Sequence, residues 1–281
     1  MSLTDTYKLN NGLEIPIIGF GTWQANDDEA KQSVLWALEA GYRHIDTASG
    51  YKNEEEVGEA IKESGIPREE IFLTTKLHNR EHGYEKTKAA IDVSLEKLDT
   101  GYIDLLLIHW PNPIYSRENW KEVNAGSWKA MEEAVEAGKL KSLGVSNFLP
   151  HHLDPLLETA KIKPVVNQIL LNPSEMQPEV VKYNNEHDII SEAYSPLGTG
   201  KIFEVDELKE LADKYNKSIA QVVLRWSLQH GFLPLPKTVT KERVWQNTEL
   251  FDFEIDSDDM KLIDSLDGRA GKAKDPDTIE F

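Results

Sequence analysis

The stretch "HIDTASGY" at residues 44–51 closes a short apolar run with a carboxylate, Asp46, and sets a phenol, Tyr51, five residues on. Two more ionisable side chains close apolar runs of the same kind, Lys76 in "LTTKL" and His109 in "LLLIHWP". Singly, each has an ordinary structural reading: Asp46 caps a helix, Lys76 is a solvated loop charge, His109 is a hydrogen-bonded core imidazole and Tyr51 is packing. Because perturbed sites are a minority of polar residues, those readings win one at a time. Jointly, a carboxylate, an ammonium, an imidazole and a phenol at successive strand ends make a proton-transfer cluster. The chain has no cysteine, which excludes thiol nucleophiles, thiolate metal sites and disulfides.

Charge arithmetic assigns roles within the cluster. A phenol with a pKa of about 10 is a poor donor at neutral pH. An ammonium about 4 Å away, at an effective dielectric near 20, stabilises the phenolate by roughly 4 kcal/mol. At about 1.4 kcal/mol per unit, this moves the phenol by roughly three units, to near 7. Lys76 is therefore expected to make Tyr51 an acid, Asp46 to hold Lys76, and His109 to donate to the same substrate oxygen. An acid facing one oxygen, without nucleophile or metal, suits carbonyl reduction with hydride brought by a cofactor.

Such residues meet only if the elements bring strand ends together. After a hairpin signal, "YKL", "NNG" and "LEIPIIG", β-type runs fall at 17–21, 44–46, 71–76, 103–109, 141–146, 165–168, 189–194 and 233–236. Amphipathic helical patterns lie between them, among others at 28–40, 53–64, 85–98 and 120–137, with Gly41, Gly65 and Gly138 where C-terminal caps belong. Eight strands alternating with helices predict an α/β fold, a single (β/α)8 TIM barrel with an N-terminal β-hairpin, whose strand ends share one face. The open doubly wound alternative lacks its glycine fingerprint, because Gln24 stands where the third glycine after Gly19 and Gly21 belongs. "GTGK" at 198–201 lacks the first glycine of a P-loop, and Ile202 replaces its hydroxyl residue. With no repeat, linker or low-complexity stretch, residues 1–281 read as one domain.

A net charge of −18 argues against nucleic-acid binding, and it means that an anionic ligand must meet a local basic cluster. Lys237, Lys241 and Arg243 against Glu242 give about +2 locally, as a phosphate site requires, although a solvated helix start has the same composition. No run approaches membrane-spanning length and the N-terminal residues lack signal-peptide character, so the expectation is a cytoplasmic protein without membrane partner.

The motifs "GYRHIDTASGYKNEEEVGEAI", "LLLIHWP", "GVSNF", "VNQ", "AYSPLG" and "LPKTVTKERVWQN" resemble those of the aldo-keto reductases, in particular the bacterial branch with 2,5-diketo-gluconate and methylglyoxal reductases. The likeness runs from "IPIIGFGTWQ" to "DFEIDSDDMKLIDSL", nearly the whole chain. It implies an enzyme with a catalytic tetrad of Asp46, Tyr51, Lys76 and His109, and extended NADPH (NADP) binding without a dinucleotide fold. Gly21, Thr22 and Asp46 would lie by the cofactor, Ser146, Asn147 and Gln168 would hold its carboxamide, and Tyr194 would stack on the nicotinamide. Ser195, Leu197 and Gly198 would follow the pyrophosphate. Lys237, Thr238, Val239, Thr240, Arg243, Gln246 and Asn247 would surround the adenosine and its 2′-phosphate. Trp23, Tyr51, His78, His109 and Trp110 would line the pocket of a small carbonyl substrate, in a monomer. The chain departs from the common pattern at His78, where tryptophan is frequent, and at "ILLNP" after Gln168.

Three alternative functions fit the residues less well. A metal-dependent hydrolase is disfavoured because His78, His82, His151 and His152 fall in loops with no matching carboxylate cluster. A glycosidase needs two facing carboxylates, and Glu192 on the seventh strand finds no acid at the end of the fourth. A non-catalytic nicotinamide-binding subunit is disfavoured by the complete tetrad.

Overall fold

Antiparallel pairing of β1 (Thr6–Lys8) with β2 (Glu14–Pro16), Tyr7 opposite Ile15, forms the expected hairpin. The strands β3 (Phe20–Gly21), β4 (His44–Asp46), β5 (Phe72–Leu77), β6 (Ile103–Ile108), β7 (Leu140–Ser146), β8 (Val166–Leu170), β9 (Ile190–Tyr194) and β10 (Leu233–Pro234) make a parallel sheet in chain order. The computed structural model describes residues 1–281 apart from the side chain of Asp27. Successive strands are followed by α1 (Asp27–Glu39), α2 (Glu54–Glu63), α3 (Tyr84–Leu98), α4 (Trp120–Glu136), α5 (Pro150–Thr159) and α6 (Pro178–Glu186). After β9 come α7 (Asp206–Tyr215) and α8 (Ile219–Gln229), and after β10 come α9 (Lys241–Gln246) and α10 (Ser257–Asp264). The first helices stop where the sequence predicts: Gly41, Gly65 and Gly138 adopt φ of 102°, 68° and 75° just past α1, α2 and α4.

The sheet closes on itself. The Gly19 amide donates to the Pro234 carbonyl at 3.1 Å and the Gly21 amide to that of Pro236 at 3.0 Å. Proline has no N–H to return, so the seam is bonded in one direction only. This explains why the first strand, expected over 17–21, is reduced to Phe20–Gly21. Ile17 donates instead to Asp5 beside the hairpin.

Side chains alternate across the barrel wall with period two. Ile45, Leu73, Leu106, Ile108, Leu143 and Val145 point outward and form one core with Val34, Val57, Ile61, Ile91 and Met131 of the helices. Phe72, Leu105, Leu107, Val166, Leu233 and Leu235 join Leu9 and Ile15 of the hairpin segment in a second, interior core that plugs the N-terminal end. Gly144 belongs to that interior layer: a Cβ there would lie 2.6 Å from Leu107 Cδ2 and 2.8 Å from the Val166 carbonyl. Toward the C-terminal end the interior turns polar, with Asp46, Lys76, Gln168 and Glu192 all buried. Among the described residues no helix is long and apolar enough to cross a membrane.

Candidate active site

Asp46 is the last residue of β4, Lys76 the penultimate residue of β5, and His109 follows β6. Tyr51 ends a 3-10 turn, Ser49–Tyr51, after β4. Lys76 Nζ donates to both Asp46 oxygens at 2.8 and 2.7 Å, to the Thr47 carbonyl at 2.9 Å and to the Tyr51 hydroxyl at 3.3 Å. The imidazole of His109 meets the Tyr51 ring edge-on, with centroids 5.9 Å apart. The loops that carry these groups are tied together. Thr22 donates its N–H and hydroxyl to the Asp46 carbonyl, and Asn53 accepts from Thr47 Oγ1 while donating to the Thr22 and Ala25 carbonyls. Ser49 Oγ donates to the Lys76 carbonyl and Asn147 Nδ2 to that of His109. Removing one partner of so buried an ion pair strands the other, so Asp46 and Lys76 stand or fall together.

Burial disfavours the Lys76 ammonium, but the charges and hydrogen bonds of Asp46 and Tyr51 outweigh it and raise its pKa. Burial pushes the Tyr51 hydroxyl up; the Lys76 charge and hydrogen bond pull it down, while Asp46 and Glu192 push it further up. The net direction is upward, which corrects the expectation that Lys76 brings the phenol to near neutrality. Tyr51 rests as a fully protonated donor, held by a cation. His109 lies well below its ordinary range through burial first and then the charges of Lys76, His78 and His82, so its ring is neutral and offers one N–H.

The remaining predicted residues follow the strand ends around the same face. Ser146 Oγ donates to the Gln168 carbonyl at 2.8 Å. Asn147, at φ 61°, donates to Ser146 Oγ and accepts from the Tyr194 hydroxyl at 2.9 Å, which anchors the aromatic ring at the end of β9. Gln168 Nε2 is turned inward, to Asp46 Oδ1 at 2.9 Å and Glu192 Oε2 at 2.6 Å. Ser195 and Gly198 have φ of 45° and 55°, and Leu197 between them packs on the outer core and on a further cluster that includes Ile169, Leu208 and Trp226. Gly21 lies at the barrel seam, where a Cβ would sit 3.4 Å from the Leu235 carbonyl. Lys237 Nζ donates to the Gln24 carbonyl at 3.1 Å, bracing β10 against the loop after β3. Thr238 and Asn247 are buried, whereas Val239, Thr240, Arg243 and Gln246 are exposed. Among the described residues, Lys237, Lys241 and Arg243 enter no ion pair, in a chain of net charge −18 whose other cations are often paired. Unpaired cations beyond β10, with amides and a fixed aromatic ring on β7–β9, fit an anionic, amide-bearing ligand such as NADPH.

Of the pocket residues, His78 is half-buried and lies against Gly50, where a Cβ would be 3.1 Å from its Cδ2, so it adjoins Tyr51. Trp110 is buried with its ring edge-on to Phe281, centroids 5.4 Å apart, and Trp23 is exposed after β3. The C-terminal segment at this pocket was missed from sequence, as was the place of Glu192. One hint was available for Glu192: a charged residue inside an apolar run, two before Tyr194, must share its face of the sheet.

The histidine pair needs correction. His151 and His152 lie on α5, not in a loop, and a carboxylate does meet them: Asp277 accepts from His151 Nε2 at 2.9 Å and from His152 Nε2 at 2.8 Å. His152 Nδ1 accepts the Leu149 N–H at 3.1 Å, which puts the ring proton on Nε2. A metal would need that lone pair. Asp277 also accepts from Asn112 Nδ2 at 2.8 Å, and the group is a hydrogen-bonded clamp on the tail.

Comparison with known proteins agrees with this fold. The aldo/keto reductase family model matches residues 17–268. The chain is 46% identical over 281 residues to the glyoxal reductase of Bacillus subtilis (strain 168), covering 100% of this chain and 99% of that protein. It is 42% identical over 276 residues to methylglyoxal reductase DkgA of Escherichia coli (strain K12), covering 98% and 97%. The crystal structure of a Bombyx mori aldo-keto reductase in complex with NADP superposes with a TM-score of 0.86 at 35% identity, covering 96% of this chain and 94% of that one. By its motifs, its barrel and these matches along its length, the chain belongs to the aldo/keto reductase family.

Proposed function

We propose that this protein is an NADPH-dependent reductase of small aldehydes, dicarbonyls and keto-sugars, with Tyr51 as the acid. The observation that carries the proposal is a single buried ammonium, Lys76 Nζ, in contact with both Asp46 oxygens and with the Tyr51 hydroxyl. Two relatives bear the names of dicarbonyl reductases, which favours that substrate class. When bound, NADPH supplies the hydride that the carbonyl carbon accepts.

The chain's residues do the rest. The Tyr51 hydroxyl and the neutral His109 N–H hold the carbonyl oxygen. As negative charge develops on that oxygen, Tyr51 transfers its proton and an alcohol results. Its raised proton affinity slows the transfer without preventing it, because an alkoxide is a far stronger base than a phenolate. Lys76 then faces the phenolate, and Asp46 keeps the ammonium charged and aimed. Gly21, Thr22, Ser146, Asn147, Tyr194 and the loop 195–198 would hold the nicotinamide half of the cofactor. Lys237 to Thr240, Arg243, Gln246 and Asn247 would hold the phosphorylated adenosine. His78 and Trp110, with Trp23 at the rim, would bound the substrate. The same proposal has one barrel domain acting as a cytoplasmic monomer, apart from nucleic acid and membrane, as the charge of −18 favours.

Tyr51→Phe tests the acid. The variant is expected to keep NADPH binding, read by fluorescence titration, and to lose on the order of 1,000-fold in kcat. Carbonyl reduction at the parental rate would exclude Tyr51 as the donor.

A further inference from the structure

Beneath the tetrad the barrel holds a second carboxyl group. Glu192, in the middle of β9, is fully buried. The β8–β9 register sets it beside Gln168, and its neighbour on the other side, Leu233 of β10, offers no charge. Gln168 Nε2 forks between Glu192 Oε2 at 2.6 Å and Asp46 Oδ1 at 2.9 Å. From β4, His44 Nε2 faces Glu192 Oε1 at 3.6 Å and is hydrogen-bonded to Thr74 Oγ1 at 3.0 Å. From β5, the one ammonium of the compartment, Lys76, has both Asp46 oxygens on it.

Two buried carboxyl groups thus share one amide, and only Asp46 touches the cation. Asp46 already takes the cation in a two-oxygen contact, so a charge on Glu192 would stand unpaired, and an unpaired buried charge is neutralised by taking up a proton. The imidazole cannot supply a counter-charge. Burial and then Lys76 hold His44 down to about 3, so it is neutral. Glu192 Oε1 has no hydrogen-bond partner. With His44 Nε2 at 3.6 Å and engaged with Thr74 Oγ1, no donor lies within hydrogen-bond distance of Oε1 to hold a bare carboxylate there, and a carboxylic O–H needs none. We propose that Glu192 is a positioning residue of the reductase site: as a neutral carboxylic acid it holds Gln168, and through Gln168 the Asp46 carboxylate, in place on Lys76.

The inference rests on the proposed reductase function and adds a control of its pH range. Burial first, and then the charge of Asp46, push the Glu192 carboxyl up to about 8, against the pull of Gln168 and Lys76. When Glu192 ionises, a second negative charge faces Asp46 and raises the proton affinity of Tyr51, whose hydroxyl already feels it. Donation by Tyr51 then slows, while the cofactor residues beyond β10 are untouched.

The experiment compares wild type, Glu192→Gln and Glu192→Ala in NADPH-dependent reduction of methylglyoxal, with kcat and kcat/KM followed from mildly acidic to alkaline pH. Glutamine keeps the neutral donor–acceptor pattern, so kcat near neutrality is expected within about threefold of wild type and the alkaline fall is expected to move up by about one pH unit or more. Alanine is expected to lower kcat about tenfold or more at every pH, with KM for NADPH changed less than kcat. Superimposed pH profiles for wild type and Glu192→Gln, or a glutamine variant as slow as the alanine one, would overturn the proposal. Infrared difference spectra of Glu192→Gln against wild type provide a readout apart from turnover. A protonated-carboxyl carbonyl band lost in the variant supports the neutral acid, and its absence from wild type overturns it. A wild type inert toward carbonyls but carrying that band would sink the reductase function and leave the buried proton standing.

Discussion

The Tyr51 hydroxyl is subject to opposing forces that residue types alone do not rank. Coulomb attraction by Lys76 was legible in the sequence; burial of the hydroxyl, and the charges of Asp46 and Glu192, were not, and they carry the net direction upward. What matters for donation is the difference between Tyr51 and the oxygen it would serve, so the roles proposed for the tetrad do not depend on the acid's resting strength. At the other end of the proposed site, Arg243 is exposed on α9 and, among the described residues, in no ion pair. If it holds a 2′-phosphate, Arg243→Ala should raise Kd for NADPH by about tenfold or more and alter NADH by less than about threefold, the difference being one charge-assisted contact. Equal losses for the two cofactors, measured by titration, would place the phosphate elsewhere.

Among elements, the strand ends and the C-terminal tail divide the labour. The strands carry Asp46, Lys76 and Gln168 on rigid, mutually bonded backbones, whereas the rim of the proposed substrate pocket would come from loops and the tail. The tail is pinned at Asp277 by Asn112, His151 and His152, and at its end Phe281 meets Trp110 while Asn79 Nδ2 donates to the Phe281 carbonyl. Asp277→Ala should therefore free the rim without touching the tetrad. KM for a dicarbonyl is expected to rise several-fold, about three to ten, with Kd for NADPH unchanged. Burial alone would raise the Asp277 carboxyl, but hydrogen bonds from Asn112 and His152 and the nearby histidines bring it below its usual range. A depressed carboxyl contributes above its unfolded pKa and loses that contribution as pH falls through the folded value. Loss of the clamp thus belongs to strong acid, and a KM that rose already near pH 6 would contradict the assignment.

For the molecule as a whole, buried neutral histidines set the acid limit. Burial first, with Lys76 and His78 adding respectively, takes His44 down to about 3 and His82 down to about 4. The unfolded chain binds protons at these rings below about 6.5 and the folded barrel does not. The contribution of these rings is therefore complete above that pH and is lost as pH drops through it toward the folded values, by about 1.4 kcal/mol per pH unit for each ring. The Glu192 carboxyl, pushed up to about 8, takes up a proton on folding and opposes this loss, so the decline is read in Glu192→Gln. Urea midpoints of that variant should decline from near pH 7.5 to near pH 5.5, and adding His44→Asn should flatten the decline; a midpoint rising toward acid there would refute it.

The closed barrel was legible because each local signal agreed with the others. Period-two runs, amphipathic helices and glycines at 41, 65 and 138 all require the same alternation of strand and helix, and strands in that order have one face on which their C-terminal ends meet. The tetrad was legible for the same reason, since all its members stand at or just past strand ends in the sequence. Tertiary structure alone decided three things: how far burial outweighs Lys76 at Tyr51, that Glu192 shares the amide of Gln168 with Asp46, and that Asp277 reaches His151 and His152 across 126 and 125 residues of chain. Each depends on which groups from distant strands or from the tail enter a space without water, and there the strength of every charge is set by its neighbours and by the missing solvent, not by its own residue type.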